Sequence, residues 1–172
     1  IPCFIDETRK VLLNPALEYV KAALEVAKQN YTWESVVRML RTGLAGVSAE
    51  ETDLLENYLR AFGIRGRSRW TKSWERTSKT MDQETLAVCE ALRVRIGELL
   101  LPFTEAIRKK GQTARQMAEI LYRFLEAGRL QEQLLDWEKE SEAAGRPEKA
   151  EEYGQIYGII MELLDKIAVL LD

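Results

Sequence analysis

Apolar residues recur at three- and four-residue steps along most of this chain, which is the spacing that puts them on one face of an α-helix. The alternating pattern of a β-strand is almost absent. The pattern therefore predicts an all-α protein, an irregular bundle of about seven amphipathic helices with short connections.

Capping residues mark where the predicted helices begin, because their side-chain oxygens accept hydrogen bonds from backbone amides that the first turn leaves free. Glycines mark most of the ends, since glycine readily adopts the left-handed conformation that follows a last turn. The predicted starts are Asn14-Pro15, Thr32, Ser48 with Glu51, Asp82, Thr113 with Gln116, Leu130 and Arg146-Pro147. The predicted ends are about Gln29, Gly43, Gly63, Gly111 and Gly128.

The apolar stripes give the residues that are expected to form the core. Met117 and Met161 lie at core spacing and are expected to pack there. The other stripe residues are Leu17, Val20, Leu24 and Ala27; Val36, Val37 and Leu40; Leu55, Tyr58, Leu59 and Phe62; Ile120, Leu121 and Phe124; Leu130, Leu134 and Trp137; and Tyr153, Tyr157, Ile160, Leu164, Ile167 and Leu171.

The helix that begins at Asp82 is predicted to be long, and it contains a proline. Pro102 removes one backbone hydrogen bond and clashes with the preceding turn. The apolar stripe nevertheless continues on both sides, so we predict a kink at Pro102 rather than an end. This stripe consists of Cys89, Leu92, Ile96, Leu99, Phe103 and Ile107.

The composition is that of a globular protein, since 46% of the 172 residues are hydrophobic and 31% are charged, with only 4 prolines and 10 glycines. A chain of this length can fold without cross-links, as one domain or as a compact pair of lobes. We treat residues 1–172 as a single helical domain. No apolar run reaches the roughly 20 residues that a membrane-spanning helix needs, so no membrane contact is predicted.

Residues that the chain lacks exclude several kinds of chemistry. The sequence has no histidine, which removes the commonest general base and metal ligand. Cys3 and Cys89 lack the spacing of a metal site, and no GxxxxGK[ST] phosphate-binding loop is present. The acidic run at residues 136–152 alternates with Lys and Arg, as in a solvated helix face. We therefore predict no catalytic residue, no metal ligand and no cofactor in this chain.

One segment departs from the helical pattern. Residues 65–79, called here the basic segment, hold six cations and a single acid, Glu75, for a net charge of +5. The other 19 basic and 27 acidic residues give the rest of the chain a net charge of −8. A basic region on an acidic protein attracts polyanions locally, so its cations are candidate contacts to DNA or to a partner. They are Arg65, Arg67, Arg69, Lys72, Arg76 and Lys79.

Two tryptophans, Trp70 and Trp74, lie among these cations and admit two interpretations. In nucleic-acid-binding surfaces aromatic rings stack on bases while cations neutralise phosphates, which makes both tryptophans candidate contacts. Alternatively, their four-residue spacing puts them on one helix face, where buried aromatic side chains anchor a long connection to the bundle. The cations, in turn, are either ligand contacts or simply solvated.

Three stretches of the sequence resemble a known family. Residues 55–74, LENYLRAFGIRGRSRWTKSW, resemble the ENY…YGI.G..W segment of the AddB family, the B subunits of bacterial AddAB helicase-nucleases. Residues 120–137, ILYRFLEAGRLQEQLLDW, resemble that family's LYrfLe helix and the residues after it. The N-terminal stretch resembles the junction from the second motor domain into a helical insertion in UvrD- and RecB-like superfamily-one helicases. That match is carried by Ile1-Pro2, Phe4-Ile5-Asp6, Arg9-Lys10 and Asn14-Pro15.

The resemblance implies an internal fragment of a larger subunit, with residues 1–12 as the connector from the motor domain. Such subunits pair with an AddA helicase-nuclease and process broken DNA ends for homologous recombination in the bacterial cytoplasm. The family uses ATP, Mg²⁺ and an iron–sulphur cluster, but its nuclease carboxylates and cluster cysteines match nothing in this chain. The resemblance therefore implies a helical arm that shapes the DNA channel or the contact with the A subunit.

Two other functions are weighed against this one. The acidic remainder of the chain favours a protein-interaction scaffold that makes no nucleic-acid contact. A helical transcription regulator would need a tight helix-turn-helix pair with a cationic second helix. The helices that follow Thr32 and Ser48 are too acidic or too apolar for that role.

Overall fold

The computed structural model describes residues 14–170, which contain eight α-helices and no β-strand. The all-α prediction is confirmed. Seven helices match the seven predicted ones, and the eighth is a four-residue helix inside the basic segment. The connector predicted at residues 1–12 and the stripe residue Leu171 lie outside the described residues. The helices are α1 Pro15–Lys28, α2 Trp33–Leu40, α3 Ala49–Ala61, α4 Arg67–Trp70, α5 Gln83–Ile107, α6 Ala114–Ala127, α7 Leu130–Ala143 and α8 Pro147–Leu170.

Capping hydrogen bonds form where the sequence predicts helix starts. A side-chain oxygen before each of five helices accepts a first-turn amide at 2.9 to 3.4 Å. In α3 and α6 the third residue of the helix completes a reciprocal box by accepting the amide of the cap. These interactions fix the helix starts locally. The capping residues are Asn14, Thr32, Ser48, Asp82 and Thr113.

Helix α5 passes Pro102 without ending there, as predicted, while the kink itself stays a prediction. Pro102 is exposed, and Leu100 and Phe103 on the buried side continue the packing across it. Leu100 takes the buried position that the pattern gave to Leu99, which is only half-buried. The helix ends at Ile107 rather than at Gly111.

Residues 21–108 form one compact unit. Within it α3 packs against α2 and α5, and α4 packs against α5. Asn30 and Tyr31 turn the chain tightly after α1 with φ angles of 53° and 58°. The buried Tyr31 hydroxyl shares a 2.7 Å hydrogen bond with Thr104 of α5. The core includes Val36, Val37, Met39, Leu40, Leu55, Tyr58, Leu59, Trp70, Trp74, Cys89, Leu92, Ile96, Leu100 and Phe103.

Residues 14–20 and 109–170 form the other compact unit. Helices α6, α7 and α8 pack against one another, and Tyr19 of α1 stacks on Phe124 of α6 with ring centroids 5.3 Å apart. The buried Asn14 side chain donates a 3.0 Å hydrogen bond to Glu152 of α8. The core includes Tyr19, Ala118, Phe124, Leu125, Leu130, Leu134, Ala150, Ile156, Ile160 and Leu164.

Some predicted helix faces are wrong. Met117 is 41% exposed, because α6 turns Ala118 and Leu125 inward together with Phe124, the one residue of its predicted stripe that is fully buried. The predicted residues of α1 other than Ala27 are only half-buried, whereas its other alanines, together with Tyr19 and Val26, are fully buried. Alanine contributes little to a hydrophobic pattern, but its small side chain allows another segment of the chain to pack closely against the helix. No helix within residues 14–170 is both long and apolar enough to cross a membrane.

Candidate nucleic-acid interface

The basic segment leads from α3 to α5, and its course is fixed from its start. Gly63 adopts a φ of 61°, which only glycine adopts readily, and the next amide, that of Ile64, donates to the Leu59 carbonyl at 2.9 Å. The backbone amide of Arg67 then donates to the Asn30 side chain at 3.2 Å. The tight turn after α1 therefore holds the start of α4.

Both tryptophans of the basic segment are buried, since Trp70 is 1% and Trp74 is 6% exposed. They do not share a helix face, because α4 ends at Trp70. Their rings instead meet edge to face with centroids 5.3 Å apart, and Trp74 stacks on Tyr58 of α3 at 5.5 Å. This burial fits the anchor interpretation of both tryptophans, while their contact with DNA stays a prediction.

Hydrogen bonds hold the backbone around these rings. The Trp74 indole N–H donates to the Arg69 carbonyl at 2.9 Å, which closes the loop between the two residues. The Tyr58 hydroxyl donates to the Arg76 carbonyl at 2.8 Å. The basic segment is thus held from within and from α3.

Glu90 and Arg93 of α5 tie the same loop to the long helix. The Glu90 carboxylate accepts the Trp74 backbone N–H at 3.0 Å, and Arg93 donates to the Trp70 carbonyl at 2.8 Å. Arg93 also donates to Glu90 at 2.7 Å, and this hydrogen bond, together with the one from the Trp74 amide, lowers the pKa of the Glu90 carboxyl below its usual value. Neither Glu90 nor Arg93 was predicted from the sequence, where their only signal is a three-residue spacing of opposite charges.

Two of the six cations in the basic segment interact with the protein itself. The Arg67 guanidinium donates to the Glu105 carboxylate at 2.8 Å. Arg76 donates to the Phe62 carbonyl at 3.2 Å and lies 5.0 Å from the centre of the Phe62 ring. These side chains are positioned by Phe62, which follows α3, and by Glu105 of α5, and Arg67 is partly neutralised.

The other four cations are exposed, and none has a carboxylate partner among residues 14–170. The only acid of the segment, Glu75, is also exposed. Unpaired cations on a fixed backbone can bind anions without first breaking an ion pair. The four residues are Arg65, Arg69, Lys72 and Lys79.

A pocket of about 210 Å³ opens on the same segment, and its accessible lining is mostly carbon. Three cations of the segment contribute to it, together with buried side chains of the core. The exposed lining residues are Arg69, Lys72, Ser73, Glu75 and Arg76, and the buried ones are Tyr58, Ile64 and Trp74.

The acidic and cysteine side chains of the described residues bear on metal binding and on thiol chemistry. Within residues 14–170 no group of three or more cysteine or acidic side chains is placed to hold a metal ion. Cys89 is buried, and burial raises the pKa of its thiol to about 11, so it stays protonated and inert at neutral pH. The acidic run at residues 136–152 is largely solvent-exposed, as predicted.

Comparison with known proteins identifies relatives along nearly the whole chain, although no protein-family model matches it. The B subunit of the ATP-dependent helicase/deoxyribonuclease of Lachnoclostridium phytofermentans is 34% identical in an alignment that covers 99% of this chain. The B subunits of the same enzyme from Clostridium botulinum strain Loch Maree and Pelotomaculum thermopropionicum are 38% and 35% identical, each over 97% of this chain. The chain spans about 15% of the length of these relatives.

These similarities cover both stretches at residues 55–74 and 120–137 on which the AddB resemblance was based. The predicted resemblance is therefore confirmed, and the chain is homologous to a segment of AddB, the B subunit of the ATP-dependent helicase/deoxyribonuclease.

Proposed function

We propose that this chain is a helical insertion domain of the B subunit in an ATP-dependent helicase/deoxyribonuclease, and that its basic segment contacts DNA. In this proposal residues 1–172 work as one domain of the longer subunit. The names of the relatives support the assignment to such an enzyme. The DNA contact rests on one observation, which is that four cations of the segment are exposed and unpaired within the described residues.

The proposed contact is to the phosphate backbone. Arg65, Arg69, Lys72 and Lys79 extend from a backbone that Trp70 and the α5 ion pair hold in place. Such cations neutralise phosphates and release counterions, which gives an affinity that falls steeply with salt and depends little on sequence. The domain would in this way line the DNA path of the enzyme.

The complete enzyme, in this proposal, acts with an AddA-like helicase-nuclease subunit on DNA double-strand breaks for homologous recombination in the bacterial cytoplasm. The ATP, Mg²⁺ and iron–sulphur cluster of the family do not fit the residues described here. These residues contain no GxxxxGK[ST] phosphate-binding loop and no group of three or more acidic or cysteine side chains placed to hold a metal ion, and their single thiol is buried. We assign the three groups to other parts of the enzyme.

The test measures binding of the purified chain to fluorescein-labelled single-stranded and duplex DNA across a salt series that begins at about 50 mM. Arg69→Gln with Lys72→Gln should weaken binding. The double change should also reduce the slope of log K against log salt by about 0.7 on single strands and about 0.9 on duplex DNA for each phosphate that is no longer neutralised. The matched control, Lys149→Gln with Lys166→Gln, removes two exposed charges elsewhere and should leave both quantities nearly unchanged.

Two results would contradict the proposal. Binding that is undetectable at about 50 mM salt would remove the DNA contact. Equal weakening by the segment variant and by its control would show that net charge, rather than the basic segment, governs binding.

A second candidate is a protein-interaction scaffold that makes no nucleic-acid contact. It is favoured by the net charge of −8 outside the basic segment and by Ile159 and Leu163 of α8, which are 40% and 50% exposed. A photo-cross-linker at Lys72 in the assembled enzyme separates the two candidates. Cross-links to protein alone favour the scaffold, and cross-links to DNA favour the proposed contact.

A further inference from the structure

The pocket on the basic segment is lined by both carbon atoms and cationic side chains, a combination that is unusual for a site that binds phosphate alone. Its accessible lining is mostly carbon, whereas a bare phosphate prefers hydrogen-bond donors on all sides. Three cations, Arg69, Lys72 and Arg76, nevertheless contribute to the lining. A ligand that matches both surfaces has a flat, weakly polar part joined to an anionic part.

We propose that this pocket accepts a single unpaired nucleobase of a DNA strand while its cations bind the flanking phosphates. This inference rests on the proposed DNA contact and adds to it a subsite for one nucleotide. Arg69 and Lys72 supply the free charges, because neither has a carboxylate partner among the described residues. Arg76 is held toward Phe62, so its guanidinium plane has a defined orientation.

The size of the pocket limits the ligand to one base. Its volume of about 210 Å³ is smaller than the roughly 300–1,000 Å³ of pockets that hold drug-sized ligands. Bases stack on arginine guanidinium planes as well as on aromatic rings, so the buried tryptophan faces are not needed. Trp74, which is 6% exposed, forms one part of the lining.

Such a subsite distinguishes unpaired from paired strands. A base in a duplex must be extruded before it can enter a pocket, at a cost of about a few kcal/mol, whereas a base in a single strand is already free. The pocket therefore favours single-stranded DNA even though its cations attract both forms. A protein surface that contacted only the sugar-phosphate backbone of DNA would lack this preference.

The test compares two oligonucleotides of equal length and charge, a thymidine homopolymer and a fully abasic sugar-phosphate strand, in binding to the full 172-residue chain. The base-bearing strand should bind about fivefold or more tightly, which is the lower end of what stacking of one base contributes. Both strands should show the same salt slope, because they carry the same phosphates.

A variant that fills the pocket tests whether the pocket causes the preference for the base-bearing strand. Ser73→Phe places a ring at an exposed lining position without changing charge and should reduce the ratio of the two affinities to about one. The matched control is Ser68→Phe, which makes the same change at an exposed position of α4 outside the lining and should keep the ratio. Circular dichroism of both variants checks their folding.

The outcomes separate this inference from the proposed function. Equal affinity of the wild-type chain for both strands, with a normal salt slope, overturns the base subsite and leaves the backbone contact intact. Retention of the ratio in Ser73→Phe likewise overturns the subsite. Absence of binding to either strand overturns both proposals. Because the wild-type comparison needs no variant, the inference stays testable if Ser73→Phe does not fold.

Discussion

Replacement of Trp74 with alanine removes the side chain that holds the second half of the basic segment against α3 and against the first half of the segment. The side chain is 6% exposed, stacks on Tyr58 and meets Trp70 edge to face. Its indole N–H also donates the 2.9 Å hydrogen bond to the Arg69 carbonyl. Alanine eliminates all three interactions and leaves a cavity that the fixed neighbours can fill only in part.

The expected loss in the free energy of unfolding follows from these contacts. Truncation of a buried tryptophan to alanine costs about 3–5 kcal/mol, which for a protein of this size lowers the melting temperature by about 6–20 °C. Trp74→Phe keeps an aromatic ring against Tyr58 but loses the indole donor. It should cost about 1–2 kcal/mol, because a net hydrogen bond contributes about 1 kcal/mol and the smaller ring packs less fully.

Urea unfolding followed by circular dichroism gives the free energies, with thermal melting as a second measurement. The matched control is Trp33→Ala in the same compact unit, whose ring is half-buried and contacts the Arg60 guanidinium. Its loss should cost less than half as much as that of Trp74. A cost below about 1 kcal/mol for Trp74→Ala, or equal costs for the two alanine variants, would refute the anchoring role.

The stability that Glu90 contributes is present above pH 4.5, the ordinary pKa of its carboxyl, and is lost as the pH falls through its lowered folded pKa. Urea titrations should therefore show the difference between wild-type and Glu90→Gln chains narrowing below that pH; a constant difference would contradict the ion pair. In a Cys3→Ser chain, the buried Cys89 thiol should react with an aromatic disulfide reagent at neutral pH only after unfolding, so rapid labelling of native protein would be inconsistent with its burial. Gly158→Ala should stabilise the protein by about 0.5–1 kcal/mol, because its methyl group would meet no atom within 4 Å, whereas Gly63→Ala should destabilise it by about 1–2 kcal/mol, because φ is +61° there. Thermal unfolding measures both changes in stability, and changes of the same sign in the two variants would contradict the reasoning.

The helix starts could be predicted because the interactions that define them are local. Ser48 and Glu51 satisfy each other's backbone amides across three residues, and Thr113 and Gln116 do the same. The face that a helix buries depends on neighbours far away in the chain, so the orientation of Met117 could not be read from spacing. The four residues of α4 are too few to show any helical period.

The charge of the candidate site could be predicted, but its organisation could not. Arg67 is paired with Glu105, which lies 38 positions further along the chain. The Trp74 amide is bound by Glu90, 16 positions away. Such contacts form only when α5 folds back on the basic segment, so sequence alone could not separate the free cations from the engaged ones.

Ring packing and carbonyl hydrogen bonds from Tyr58, Trp74 and Arg93 order the backbone of the basic segment before any ligand arrives. A segment that folded only on binding would lose about 1–2 kcal/mol of conformational entropy for each residue ordered. Here that loss accompanies folding of the chain, and association restricts only long side chains. Capture of a polyanion by this surface should accordingly proceed at the rate of encounter, with no slow ordering step in its kinetics.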